Sequence, residues 1–309
     1  MMMCAGNCRS VRALFVDTRG DGPPPELQGA SARLGVHLET ADARDLFSRE
    51  VRTPCEDAYR TGLTPNPCAR CNARVKLALA HSILRPGETL VTGHYAVGTE
   101  MGLFRARDRS KDQSYFLALV PRNIMARCAF PLGLLTKDSV RSMVRKAGLP
   151  FISRESQDLC FAPDRRGEPG PVVTADGKPL GFHRGLGHYT VGQRSGVGAH
   201  GRPVYVIRLI PRDNMLVVGE AEDLYSKGCT VAGVNDLEMP REDGFEADVQ
   251  LRSRHRASRA AVARRGEVCA VDFHSPQKAV APGQLAVFYR GDQVLGAGTI
   301  VGRSADEGP

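Results

Sequence analysis

Short apolar runs alternate with helical periodicity through the first half of the chain, and short alternating runs take over in the second half. Val11 to Val16 reads as a strand, Asp42 to Arg60 and Asn72 to Leu84 as helices, and Thr89 to Thr92 as a short strand that stops at Gly93. That order predicts a parallel α/β architecture. Asn72 is placed to cap the helix carrying Val75, Leu77, Leu79 and Ile83. Thr136 is placed to open another, whose Val140, Met143, Val144 and Ala147 precede a stop at Gly148. Pro163 to Pro171 is rich in Gly, Pro and charge and reads as a linker. After it, Pro203–Ile210, Met215–Gly219, Phe245–Arg252, Glu267–Phe273 and Gln284–Tyr289 read as strands. Gly291-Asp292 fits a tight hairpin turn before Val294–Val301. The second half is therefore mostly β, a small barrel or two small β modules.

Composition narrows the class. The chain has 309 residues, 42% of them apolar and 25% charged, and no apolar run approaches the roughly 18 residues of a membrane span, which excludes fibrous, disordered and membrane classes. At about 150 residues per domain, two domains are expected, with room for three small ones. Met1 to Ser10 lacks the apolar stretch and cleavage signal of an export peptide, so a cytoplasmic location is expected. Nine cysteines scattered along the chain read as reduced thiols rather than structural staples. Only seven of the 42 basic residues are Lys, and the net charge is +8; an arginine-rich surface of this kind suits phosphate, or is simply solvated.

The densest chemistry lies in Thr64-Pro65-Asn66-Pro67-Cys68-Ala69-Arg70-Cys71-Asn72. Two prolines stiffen a loop that delivers Cys71 to a helix start, where the dipole, Arg70 and Arg74 are expected to lower its pKa and make it a nucleophile. The alternative is half of a structural zinc site with Cys4 and Cys8, although no second C-x-x-C occurs. Cys160, in Ser156-Gln157-Asp158-Leu159-Cys160-Phe161, has a polar flank and reads as a second, exposed thiol, whereas Cys128, Cys229 and Cys269 read as core residues. Gly196 to Gly201 matches G-x-G-x-x-G, but a strand pattern follows where a dinucleotide site needs a helix, so it reads as a loop. Gly93-His94-Tyr95 ends a parallel strand, where open α/β sheets bind ligands; a lone histidine such as His94 also serves structurally. Lys111-Asp112-Gln113-Ser114-Tyr115-Phe116 suits RNA, or a capped helix start.

In their order along the chain, these segments resemble the bacterial tRNA-specific 2-thiouridylases. The resemblance is carried by Gly62–Lys76 (GLTPNPCARCNARVK), Thr92–Tyr95 (TGHY), Lys111–Leu117 (KDQSYFL), Phe130–Lys137 (FPLGLLTK), Ser156–Phe161 (SQDLCF), Gly185–Gly196 (GLGHYTVGQRSG) and Pro282–Tyr289 (PGQLAVFY). It implies an α/β fold with three parts: a truncated Rossmann-like parallel-sheet domain over 1–162, a small β-rich domain over 163–235, and a C-terminal β-barrel over 236–309. It also implies that ATP, with Mg²⁺ and no tightly bound metal, adenylates the uracil 2-oxygen of tRNA, and that sulfur displaces it. Cys160 matches the persulfide cysteine, and Cys71 the partner that helps release sulfur and can form a disulfide with it. Gly93 matches a nucleotide-contacting glycine, and Val16 stands at a nucleotide-contacting position usually held by methionine. His94, Lys111, Asp112, Gln113, Arg254, His255 and Gln284 match tRNA-contacting positions, and Asn66, Pro67 and Cys68 the loop that meets the target base. The implied partners are tRNA and a persulfide-donating relay protein, with no membrane.

The family's S-G-G-x-D-S pyrophosphate loop has no counterpart in the 309 residues. The expectation is therefore a sulfurtransferase whose phosphate loop comes from beyond this reading frame or from another polypeptide. The competing reading is a tRNA-binding paralogue without catalysis.

Overall fold

The structure is a computed structural model that describes residues 10–150, 160–196 and 203–303. Cys4, Cys8, the Ser156–Leu159 part of the second cysteine motif and residues 197–201 of the glycine-rich loop lie outside them. The chain divides into two compact units. One comprises Met1–Val51, Cys68–Cys160 and Asp292–Val294; the other comprises Arg52–Pro67, Phe161–Gly291 and Leu295–Pro309.

In the first unit, the strand Arg12–Asp17 runs parallel to His37–Asp42, register Arg12↔His37 to Asp17↔Asp42. They are joined by the helix Pro25–Leu34, which has Pro at its first position and ends on Gly35 at φ 63°. Leu90–Val91 runs parallel to Cys128–Ala129. The parallel α/β order is thus present, as two separate two-stranded ladders. A hairpin of Ala96–Thr99 and Gly102–Arg105, which the polar/apolar pattern did not announce, follows the third of these strands. The core gathers Phe47, Val51, Val75, Leu103, Tyr115 and Leu117. Thr136 caps the helix Lys137–Lys146 as expected, its Oγ1 accepting from Ser139 N at 3.2 Å, and Gly148 takes φ 63° after it.

Two helix boundaries differ from expectation. Asp42 closes a strand, and the helical run begins at Arg44. The other run begins at Pro67 rather than Asn72, because proline with its fixed φ is pre-set for the first turn of a helix. Asn72 is buried inside it and donates its Nδ2 to Phe116 O at 3.2 Å instead of capping. From Asn72 to Lys76 the run widens into a π segment before Leu77–Ser82.

The second unit holds two β modules. Four strands lie in the order Pro179–His183, Gly170–Thr174, Met215–Gly219, Tyr205–Ile210, over a core of Val172, Leu186, Tyr189, Val206, Leu216 and Val218. The other module is a closed six-stranded barrel. Its strands run Tyr225–Asp236, Val268–Lys278, Ser258–Arg265, Gly244–Gln250, Leu285–Arg290 and Gln293–Arg303, and the last pairs back on the first from Cys229↔Arg303 to Asp236↔Gly296. Closure leaves no edge strand to template aggregation. Cys229 and Cys269 fill the barrel core, as their apolar neighbours predicted. Cys128 is only half-buried and donates its Sγ to Ile124 O at 3.3 Å. Gly291, at φ 58°, turns the expected hairpin.

Candidate functional site: three thiols and a buried histidine

The helical run from Pro67 carries Cys68 and Cys71 three positions apart, hence on one face. Cys71 is 5% exposed, whereas Cys68 and Cys160 reach the surface. A negative charge on Cys160 is felt at both of the other sulfurs, so the fold gathers three thiols that span 92 positions of sequence.

The electrostatics reverse one expectation. The Cys71 thiol is pushed up to about 11, first by burial and then by its neighbours Cys160 and Cys68, with only Lys76 pulling the other way. The helix begins at Pro67, five residues before Asn72, so Cys71 sits a full turn inside, beyond the unpaired amides that would favour a thiolate. Arg70 does not help either. Its Nε donates to Glu50 O and its Nη2 lies 3.7 Å from Glu50 Oε2. Burial also raises the Cys68 thiol, followed by Cys160.

Lys76 is the residue that sequence reasoning overlooked. Its charge acts on Cys68, Cys71 and His94 alike. It closes the π segment Asn72–Lys76, five residues after Cys71. His94 follows the strand Leu90–Val91 and pairs its Nδ1 with Thr92 Oγ1 at 2.7 Å. Burial, then Lys76, lower its pKa to about 4, so it is a neutral imidazole at pH 7 rather than a cation for RNA.

The remaining sequence-predicted residues fall into three groups. Asp112 and Gln113 are hydrogen-bonded within the fold. Asp112 accepts from Ala106 N (2.8 Å), Ser114 N (3.2 Å), Ser114 Oγ (2.8 Å) and Arg105 Nη1 (3.3 Å), and Gln113 accepts from Tyr95 N at 2.9 Å. Lys111, half-buried, precedes them. Gly93 and Val16 lie at carboxyl ends of parallel strands. Gly93 is exposed, and a Cβ built there meets nothing nearer than Leu132 at 3.8 Å, so its backbone is open to approach. Beside Val16, Asp17 accepts from the amides of Arg19 (3.0 Å), Gly20 (2.7 Å) and Gly22 (2.9 Å), bonds that hold its carboxyl below the usual range. The amides of Arg19, Gly20 and Gly22 are thus engaged within the turn. Asn66, Pro67, Arg254, His255 and Gln284 belong to the second unit. Arg254 is exposed. His255 is half-buried with its Nδ1 unpartnered among the described residues, and burial lowers its pKa. Among the described residues no cluster of His, Cys, Asp and Glu is arranged to hold a metal, and no helix is long and apolar enough to cross a membrane.

Comparison with known proteins fits this arrangement. Residues 25–164 match the tRNA methyl transferase HUP domain, 163–220 the tRNA methyl transferase PRC-barrel domain, and 226–300 the Aminomethyltransferase beta-barrel domain. The chain is 41% identical to the tRNA-specific 2-thiouridylase MnmA of Carboxydothermus hydrogenoformans, over 87% of this chain and 80% of that protein. It is 40% identical to the protein of that name from Nitratidesulfovibrio vulgaris (strain DP4), over 94% and 91% of the two chains. With the one from Sorangium cellulosum it shares 41% identity over 89% and 79%. Identity of this extent, across a domain that carries the thiols and two β modules in the same order, makes the chain a member of the tRNA-specific 2-thiouridylase family.

Proposed function

We propose that this chain replaces the 2-oxygen of the wobble uridine of tRNA by sulfur. The observation that carries the reading is the approach of Cys160 to Cys71 and Cys68, across 89 residues of chain from the nearer of the two. The family profiles speak of methyl transfer and the relatives of thiolation, and three neighbouring thiols support the second. A carbonyl oxygen is a poor leaving group; ATP, bound at the strand ends near Gly93 and Val16 with Mg²⁺, supplies the adenylyl group that makes it a good one.

The division of labour between the thiols follows from exposure. Cys160 is accessible and can take the outer sulfur of a persulfide from a macromolecular donor, which buried Cys71 cannot. The terminal sulfur on Cys160 attacks C2 and the activated oxygen departs. Cys71 then attacks the Cys160 sulfur. The persulfide S–S bond breaks with its electron pair passing to the sulfur on C2, a Cys71–Cys160 disulfide forms, and an external dithiol must reduce it before the next cycle. A Cys71 thiol near 11 stays protonated until it is engaged, which keeps it from consuming the persulfide before the base arrives. Asn66, Pro67 and Cys68 meet the base, and Lys111, His94, Arg254, His255 and Gln284 meet the RNA. A pure tRNA-binding role is the weaker reading, because binding alone has no use for clustered thiols. The test is a mercury-affinity gel of tRNA after incubation with the full reading frame, ATP and a persulfide donor: thiolated tRNA is expected, and its absence overturns the proposal.

A further inference from the structure

The motif Gly185–Gly196 takes no part in the chemistry above, and its one histidine, His188, belongs to no metal-holding cluster among the described residues. The structure shows what they touch. Gly187 packs against Arg165 and against Tyr59, which lies on the segment leading into the base loop: a Cβ there would lie 2.8 Å from Arg165 O and 3.3 Å from Tyr59 O. Three residues on, Thr190 Oγ1 hydrogen-bonds Thr64 Oγ1 at 2.5 Å. Thr190 is itself fixed in a tight turn. Its N–H donates to Gln193 Oε1 at 3.2 Å, Gln193 N donates back to Thr190 O at 3.0 Å, and Gly192 N and Val206 N close the turn onto the neighbouring strand at 2.8 and 2.9 Å.

From the barrel side, Thr64 N–H donates to Pro282 O at 2.9 Å. The next residue, Gly283, takes φ +91°, and a Cβ on it would sit 2.7 Å from Thr64 N, so only glycine allows this approach without displacement. The same turn is tied to the last barrel strand, with Gly283 N donating to Ile300 O and Ile300 N to Gln284 O, both at 2.8 Å. Gly62, at φ +70°, lies against Leu209, a Cβ there falling 3.1 Å from the leucine Cβ. Thr64 is thus held from two β modules by side chain and backbone, two residues before Asn66.

We propose that Gly187, Thr190, Pro282 and Gly283 form a cradle that positions the base loop Asn66–Pro67, and that Thr190 and Thr64 are positioning residues for thiolation rather than RNA contacts. The proposal rests on the base-loop role given to Asn66 and Pro67 above. Because Gln284 follows Gly283 directly, the turn that anchors the loop also presents an RNA-facing residue, so docking of the anticodon arm and presentation of the base share one anchor.

The test compares Thr190→Val, Thr64→Val and Thr190→Ser with the wild-type chain. Valine keeps the shape of threonine and removes the hydroxyl; serine keeps the hydroxyl. Each valine variant is expected to lower the single-turnover thiolation rate by about tenfold or more, as misplacement of a reacting group by about an ångström does. Affinity for tRNA should stay within about twofold, since binding rests on phosphate contacts elsewhere. Thr190→Ser is expected to restore the rate, and the double valine variant to be no slower than either single one, because both remove the same bond. A wild-type rate in Thr190→Val, or a loss in Thr190→Ser equal to that in Thr190→Val, overturns the proposal. Amide exchange of the peptide spanning Thr61–Pro67 supplies a readout independent of activity. It should quicken in Thr190→Val and in Gly283→Ala, and unchanged exchange in both refutes the cradle. If the wild-type chain gives no thiolation while exchange quickens as expected, the cradle stands and the assigned reaction fails.

Discussion

Replacing Lys76 by Met keeps an unbranched stem and removes the cation that opposes the burial of Cys71. With the thiol at about 11, only about 3 in 10,000 molecules carry the thiolate at pH 7.5. Lys76 is exposed while Cys71 is 5% exposed, so their interaction falls between the ~0.2–1 kcal/mol of surface pairs and the several kcal/mol of desolvated ones. A value of about 1 kcal/mol corresponds to a roughly fivefold smaller thiolate population. The assay is iodoacetamide alkylation between pH 7 and 10.5, read by peptide mass spectrometry; trypsin cuts after Arg70 and so separates Cys71 from Cys68. Lys76→Met should move the Cys71 profile to higher pH and slow alkylation at any fixed pH by about fivefold, and 1 M salt should narrow the gap by screening. Superimposable profiles, or a shift to lower pH, would refute the claim that the Lys76 charge acts on the thiol.

Other consequences can be checked separately. Cys160→Ser should abolish thiolation on a mercury gel and Cys68→Ser leave most of it, while equal activity of Cys160→Ser and wild type would refute the assignment. The His94 imidazole should show no titration above pH 5 in a proton NMR series, since burial holds its pKa near 4; a midpoint above 6 would place it in solvent. Glu88 is held at about 2 by the Arg12 guanidinium, 2.8 Å away, so its contribution to stability is present above its unfolded value of about 4.3 and is lost as pH falls through about 2. Glu88→Gln should therefore flatten the loss of denaturant resistance between those pH values, and an unchanged acid limb would contradict this.

Much of the fold was legible because its signals are local. The strand at Arg12–Asp17, the Thr136 cap and six of the barrel and sheet strands follow from period-2 and capping patterns. What escaped depends on tertiary context. Pro67 reads as a turn residue in a Pro-rich loop, yet it serves equally as the first residue of a helix, and only packing decides. Cys71 carries the sequence features of a low-pKa thiol, and burial, which no spacing reveals, overrides them. Lys76 carries no motif of its own, and its charge acts on Cys68, Cys71 and His94 only through the packing of the folded chain. Asp112 and Gln113 read as RNA-facing polar residues, and the sequence did not show that their oxygens also accept from backbone amides of their own neighbourhood. That Cys160 acts on Cys71 electrostatically could not be read locally, since nothing in the sequence links residues 89 apart.

The central claim is that sulfur leaves Cys160 as Cys71 closes on it. Non-reducing peptide mass spectrometry after one turnover, on enzyme preloaded with persulfide and given tRNA and ATP, tests this directly. One Cys71–Cys160 disulfide per thiolated tRNA is expected. Thiolated tRNA formed while both cysteines remain fully alkylatable would contradict it.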